Sequence, residues 1–296
     1  MLLTKGTYTA LVTPFRDDAV DEKALRELVD RQIESGVEGL VPCGTTGESV
    51  TLRGNEHATV VRTVVEQAKG RVPVVAGAGT VSTHHSIELA KIAEEARADG
   101  LLLVCPYYNK PTQAGLEANF RAIAAAVSLP IMLYNIPGRT GIDLAVDTLE
   151  RLADVKSIVA IKEATGNVAR SQEILARFGD RFDVFAGDDS LSVPVAAVGG
   201  SGVVSVAANF IPKEVSSVYR AFAAGDLAAA RREHLRLLPV YSAMFVEANP
   251  GPVKYCMHRG GRLAPELRLP LVWPSEASQQ FLHGVLDRAG LAGEVR

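Results

Sequence analysis

Short runs rich in Val, Ile and Leu recur along the chain, separated by segments whose apolar residues return every three to four positions. The runs are TALVTPF, GLVPCG, PVVAGAG, GLLLVCP, PIMLYNI, IVAIKEA, FDVFAGD and GVVSVAA. Nearly unbroken apolarity over so few residues is what a strand covered on both faces requires. The segments between them carry a helical period and stop signals: DEKALRELVDRQIESG closes at Gly36, THHSIELAKIAEEARADG at Gly100 and NVARSQEILARFG at Gly179. Strand and helix alternate, so the pattern predicts parallel strands joined by helical crossovers. Eight such units in roughly 220 residues fit an α/β (β/α)8 TIM barrel better than an open doubly wound sheet. The open sheet would need a glycine fingerprint at its first turn, whereas GGSG, Gly199 to Gly202, precedes a strand.

After Gly225 the rhythm changes. DLAAARREHLRLLPVYSAMFVEA, NPGPVKYCMHRGG and an amphipathic run from Ser275 show helical patterning and no strand run. They predict a catalytic barrel over residues 1–225 and a C-terminal helical domain over 226–296, packed outside the barrel. Leu191 to Pro212 holds no charged residue over a length that could cross a bilayer. Its Pro194, Gly199, Gly200, Gly202 and Asn209 argue instead for a buried helix followed by a buried strand.

Composition narrows the class of partner. The 296 residues suffice for a substantial core, and a net charge of −3 leaves no basic footprint. Nucleic acid and anionic membrane are therefore not expected partners, and small metabolites remain. Cys43, Cys105 and Cys256 form no CxxC and leave an odd thiol, which argues against a disulfide framework or a structural zinc and for a reducing, cytoplasmic compartment. The start MLLTKGTYTALVTPF lacks a basic stretch followed by an unbroken apolar core, so no signal peptide is expected. His84 and His85 have no HxxxH spacing and read as a solvated helix start rather than metal ligands. No GxSxG elbow is present for a serine nucleophile.

In a barrel of this kind the chemistry sits where the strands end and the βα loops converge. At those ends lie GTTGES (Gly44 to Ser49), CPYYN (Cys105 to Asn109), YNIPGRTG (Tyr134 to Gly141), IVAIKEATGN (Ile158 to Asn167) and AGDD (Ala186 to Asp189). Alternation places Ile158, Ala160 and Lys162 on one strand face, with Val159 and Ile161 on the other. Each motif alone has an ordinary reading. GTTGES serves as a plain turn or as an anion-binding one, Tyr107 and Tyr134 as core tyrosines, Arg139 as a surface cation, and Lys162 as a solvated strand end. Their coincidence at one rim points to chemistry. A lysine desolvated inside a barrel loses basicity and attacks a carbonyl, giving a Schiff base without any cofactor.

GTTGES, YYNKP, YNIPGRTG, IKEATGN and GDD, in this order and spacing, resemble the dihydrodipicolinate synthase (4-hydroxy-tetrahydrodipicolinate synthase) branch of the pyruvate-dependent class I aldolases, a superfamily that includes N-acetylneuraminate lyase. The resemblance runs from Gly6 to the NPGPVK segment and beyond. It implies condensation of pyruvate with L-aspartate 4-semialdehyde, the first committed step of diaminopimelate and lysine synthesis, by a homo-oligomer that is usually a tetramer. Lys162 would then form the imine, and Tyr134 would relay protons together with Thr46 and Tyr108. The resemblance further implies that Tyr108 reaches a neighbouring subunit's site across a tight dimer interface. Thr45 and Thr46 would hold the pyruvate carboxylate, Arg139 would receive the carboxylate of the semialdehyde, and Gly187 and Val204 would line the pocket. Lys254, in what reads as a proline-rich turn outside the barrel, is the competing lysine.

Sibling aldolases acting on sialic acid or 2-keto-3-deoxy sugar acids would share Lys162 and Tyr134, and Arg139 is what resembles the synthase branch. The alternative from another class is a non-catalytic barrel that binds a metabolite as a regulator. In lysine-inhibited members of the family, free lysine is held beside the tyrosine pair by a serine, histidines, an asparagine and a glutamate. Here Ser49, His57 and Tyr107 match, but Gly54, Val81 and His85 stand where a second histidine, the asparagine and the glutamate are expected. Weak or absent inhibition by lysine is the implication, with Glu88 as a nearby acid that would reverse it.

Overall fold

The structure, a computed structural model, describes residues 4–294. The residues outside that range include the first three of the segment read for a leader and the last two of the expected helical domain. Eight strands form one sheet: β1 (Gly6–Ala10), β2 (Gly39–Val41), β3 (Val75–Gly77), β4 (Gly100–Val104), β5 (Ile131–Asn135), β6 (Ile158–Glu163), β7 (Asp183–Ala186) and β8 (Gly202–Ser205). They are hydrogen-bonded in the order β2-β1-β8-β7-β6-β5-β4-β3, all parallel, and a bridge from Leu40 to Val74 brings the two ends of the sheet together. The sheet therefore curls into the expected (β/α)8 barrel.

Helices α1 (Glu22–Glu34), α2 (Glu56–Ala68), α3 (Thr83–Glu95), α4 (Gln113–Ala126), α5 (Pro137–Thr140), α6 (Val146–Leu152), α7 (Val168–Phe178), α8 (Ser192–Ala197) and α9 (Pro212–Ala223) fill the crossovers. Several start on side-chain caps legible in the sequence. Asp21, Ser82, Thr112 and Asn167 each accept from a backbone N–H of the first turn that follows. Beyond the barrel lie α10 (Leu227–Ala243), α11 (Gly251–Arg259) and α12 (Glu276–Arg288). Their Leu237, Tyr241, Met257 and Leu282 bury in the same cluster as Val206 and Phe210 of the barrel. The extension thus shares the layer of core between sheet and helices. The uncharged stretch from Leu191 does form a helix, α8, followed by strand β8, and no helix among the described residues is long and apolar enough to cross a membrane.

Three local expectations need correction. The first strand occupies Gly6–Ala10 rather than the run from Thr9 to Phe15. Asn209 Oδ1 takes the Val12 N–H at 2.9 Å, so a side chain replaces the ladder there, and Phe15–Arg16 turns back to pair with Ala19–Val20. Asp17 and Asp18 form that hairpin turn at φ +54° and +61°, a left-handed pair matched to the strand twist. Helix α3 stops at Glu95, because Arg97 at φ +63° reverses the chain and Gly100 opens β4. In β6, Ile131 pairs with Ile158 but Met132 pairs with Ala160, which leaves Val159 as an extra residue. That bulge shifts the alternation. Ile158 packs outward against the helices, while Val159 and Ala160 join the barrel interior.

Candidate active site

Beyond the bulge the period of two resumes, and Lys162 points into the barrel near the C-terminal end of β6. It lies in register with Tyr134 of β5 and Phe185 of β7, and only 5% of its surface is exposed. Its Nζ stands 4.2 Å from the centroid of the Tyr134 ring. Burial lowers its pKa to about 8, with Asp188 and Asp189 pulling it back up and Arg139 pushing further down. At pH 7 roughly a tenth of such an amine is neutral, against less than about a thousandth for an ordinary lysine. On the opposite face Glu163 fixes the strand end. It accepts from Arg170 Nε at 2.9 Å, Asn135 Nδ2 at 3.2 Å and the Thr165 N–H at 2.9 Å. This support was not anticipated, although an acid directly after the lysine in an otherwise apolar strand was a visible signal.

Tyr134 is buried, which pushes its phenol up to about 12, while Arg139 and the Thr45 hydroxyl work in the other direction. It therefore remains a phenol at neutral pH, suited to passing a proton on rather than to acting as a standing base. The threonine beside it is Thr45 rather than the expected partner Thr46. Thr46 is buried, with its Oγ1 3.0 Å from Asn249 Nδ2. Gly44, Thr45, Tyr107, Tyr134 and Arg139 line one solvent-open cavity. Arg139 sits on the short α5 just after Pro137 and makes no ion pair among the described residues. Its guanidinium is available to an anion entering the cavity.

Gly187 follows β7, and a Cβ there would lie 2.4 Å from the Cβ of Ala164, so only glycine lets the two loops approach so closely. Val204, fully buried on β8, shares the barrel interior with Tyr134, Ala160 and Phe185. Tyr108 stands apart, 91% exposed at φ +69°, while its neighbour Tyr107 lines the cavity. Lys162, Tyr134, Thr45 and Arg139 thus come together, Gly187 and Val204 belong to the same end of the barrel, Thr46 pairs with Asn249 and Tyr108 is exposed to solvent. A buried amine of reduced basicity, a phenol and a free guanidinium at one mouth can hold a keto acid covalently and bind a second anion.

The model of the Dihydrodipicolinate synthetase family matches residues 3–289. The chain belongs to that family. A 4-hydroxy-tetrahydrodipicolinate synthase of Nitratidesulfovibrio vulgaris (strain DP4) is 52% identical over 287 residues, spanning 97% of this chain and 98% of that protein. The structure of the 4-hydroxy-tetrahydrodipicolinate synthase from Methylacidiphilum fumariolicum SolV matches with a TM-score of 0.95 at 43% identity, covering 99% of each chain. A chloride-inhibited dihydrodipicolinate synthase from Acinetobacter baumannii, solved in complex with pyruvate, gives 0.94 at 42% identity over 97% of this chain and 99% of that one.

In this chain the GTTGES turn is tied inward. The N–H groups of Gly47, Glu48 and Ser49 bond to the carbonyls of Gly44 or Thr45, which takes these three donors out of an anion-binding role. Glu48 is buried at φ +52° and accepts from Lys254 Nζ at 2.5 Å and from the Arg268 N–H at 3.0 Å. Here the expectation for Lys254 is overturned. It lies in α11 rather than in an open turn, is fully buried, and also donates to the Glu266 carbonyl at 3.1 Å. Burial lowers its pKa while Glu48 opposes the shift, so an ion pair occupies the amine that a carbonyl would need. Cys43 and Cys105 are buried free thiols whose pKa values burial raises, that of Cys105 to about 12, so neither is a nucleophile near neutrality.

Proposed function

We propose that this chain condenses pyruvate with L-aspartate 4-semialdehyde to 4-hydroxy-tetrahydrodipicolinate, the first committed step of diaminopimelate and lysine synthesis. The observation that carries the reading is the desolvated Lys162 in register with Tyr134. The neutral amine adds to C2 of pyruvate and water leaves, forming an imine. Loss of a methyl proton gives an enamine, whose carbon attacks the aldehyde of the second substrate. That substrate's own amine then attacks the imine carbon, closing the ring and freeing Lys162. No cofactor is required at any step. Tyr134 hands protons between these atoms, with Thr45 beside it. Thr46, with Thr45, holds the pyruvate carboxylate through hydroxyl and amide. Arg139 takes the carboxylate of the semialdehyde, for which its fork is well shaped. Gly187 and Val204 wall the pocket.

The same reading makes residues 1–225 the catalytic barrel and 226–296 its helical extension, and makes the working enzyme a cytoplasmic homo-oligomer, a tetramer built as a dimer of tight dimers. Support for assembly comes from two exposed side chains, Tyr108 at 91% and the apolar Val50 at 74%. Borohydride reduction in the presence of pyruvate, followed by intact mass and peptide mapping, should place one adduct on Lys162. An adduct on another lysine, or none, would sink the reading. A coupled assay with aspartate semialdehyde, sialic acid and a 2-keto-3-deoxy sugar acid separates the synthase from its siblings.

A further inference from the structure

We infer that Asn249, from the segment between α10 and α11, is a positioning residue that directs the Thr46 hydroxyl proton at the carboxylate of pyruvate. The inference rests on the reading above, in which Thr46 holds that carboxylate. Asn249 is 203 positions away in sequence, yet its Nδ2 donates to Thr46 Oγ1 at 3.0 Å, and both side chains are buried. A hydroxyl has one proton and two lone pairs. When an amide N–H fills a lone pair, the proton must be given elsewhere, and Thr46 Oγ1 has no other hydrogen-bond partner among the described residues. The proton is thus left for an acceptor brought by the substrate. Asn249 Oδ1 is itself buried without a partner, a destabilising arrangement at this position.

A second contact from the same segment holds the turn in register. Five residues past Asn249, Lys254 grips Glu48, two residues past Thr46, and the Arg268 N–H binds the other carboxylate oxygen. Glu48 and Cys43 both adopt left-handed backbone conformations that are strained for non-glycine residues. The turn is thus shaped by contacts that the barrel strands do not supply, and the C-terminal extension completes the pyruvate subsite.

The test uses the full-length chain with Asn249→Asp, Asn249→Ala and Thr46→Val. In Asn249→Asp an acceptor replaces the donor and captures the threonine proton, so the KM for pyruvate should rise at least tenfold. Asn249→Ala should raise it several-fold. For both, the KM for aspartate semialdehyde should stay within twofold, and borohydride trapping should still reach completion on Lys162 at saturating pyruvate. Because Asn249 acts through Thr46, adding Asn249→Ala to Thr46→Val should raise the pyruvate KM no further. Should Asn249→Asp not fold, Asn249→Ser carries the same expectation at a several-fold level. An unchanged pyruvate KM in a folded variant overturns the inference, as do equal rises in both KM values or independent effects in the double variant. Failure of the unmodified chain to trap pyruvate would instead refute the functional reading itself.

Discussion

Tyr134 and Lys162 face each other in register on neighbouring parallel strands, with the lysine Nζ 4.2 Å from the centroid of the phenol ring. The ring face favours the ammonium form and burial opposes it, and burial wins, since the pKa falls to about 8. Only the neutral amine attacks a carbonyl. The rate of imine formation at subsaturating pyruvate should therefore climb as pH rises through about 8 and then level off. Lys162→Ala and Lys162→Arg should give no adduct at any pH, because a guanidinium stays protonated. Rapid-quench borohydride trapping across pH measures both. A flat profile would mean that desolvation does not set the amine's reactivity.

Arg139 bears on that amine from the mouth of the site, and its charge helps to lower the lysine's pKa. In Arg139→Ala the pH limb should move to the alkaline side, since removing a neighbouring cation relieves the ammonium. Trapping at saturating pyruvate should survive. The requirement for aspartate semialdehyde should rise about ten- to a hundred-fold, the worth of a charge-assisted carboxylate contact. Equal damage to imine formation and to the second half-reaction would make Arg139 structural.

How much of this site was legible in advance depends on the range of the signal. Lys162 could be placed because strand alternation is local and resumes before the strand ends, even though the bulge at Val159 misplaced Ile158. Arg139 and Tyr134 could be placed because βα loops converge. Thr45 and Thr46 could not be told apart, since adjacent residues in an irregular turn have no period to assign their faces. Asn249 and Lys254 were out of reach for another reason. Their partners Thr46 and Glu48 lie more than two hundred positions away, and a buried polar pair shows itself only when tertiary packing brings both halves together.

The Glu48–Lys254 pair has both side chains fully buried, and Lys254 stands 4.5 Å from the Phe15 ring centroid. Lys254→Met should cost about 3–5 kcal/mol, because it strands a buried carboxylate. Adding Glu48→Gln should recover much of that loss, as an uncharged pair demands less solvation. Urea unfolding of the two variants and the unmodified chain provides the comparison. A double variant no more stable than Lys254→Met alone would show that the charge on Glu48 is not what the substitution exposes.

Tyr108 projects into solvent at φ +69°, a left-handed conformation unfavourable for a tyrosine that makes no use of it. If it completes a neighbouring site, Tyr108→Phe should lose most activity alone. Mixed with inactive Lys162→Ala under conditions of subunit exchange, it should regain some, because hybrid pairs contain one site with both residues. No recovery, with exchange demonstrated by mass, would place the tyrosine's role within its own chain.

Regulation follows from a recess next to the active-site cavity, lined by Ser49, Val81, Ser82, His85, Leu89 and Tyr107 among others. The amino-acid effector expected from the family brings an ammonium, which in a partly desolvated recess needs an anionic partner. Among the described residues, no Asp or Glu lines this one. Glu88, the acid that would substitute, directs its oxygens to His84 at 3.2 Å and His85 at 2.9 Å on the exposed side of α3. His57 offers no charge either: it is buried with Nε2 2.7 Å from the Gly77 carbonyl oxygen, and burial lowers its pKa, which leaves the imidazole neutral at pH 7. Activity titrated with L-lysine at saturating and subsaturating pyruvate should therefore change little below millimolar concentrations. His85→Glu returns a carboxylate to the recess and should increase sensitivity to lysine. Strong partial inhibition of the unmodified enzyme at sub-millimolar lysine would show that the ammonium finds its counter-charge elsewhere, with a carboxylate of a second subunit as the first place to look.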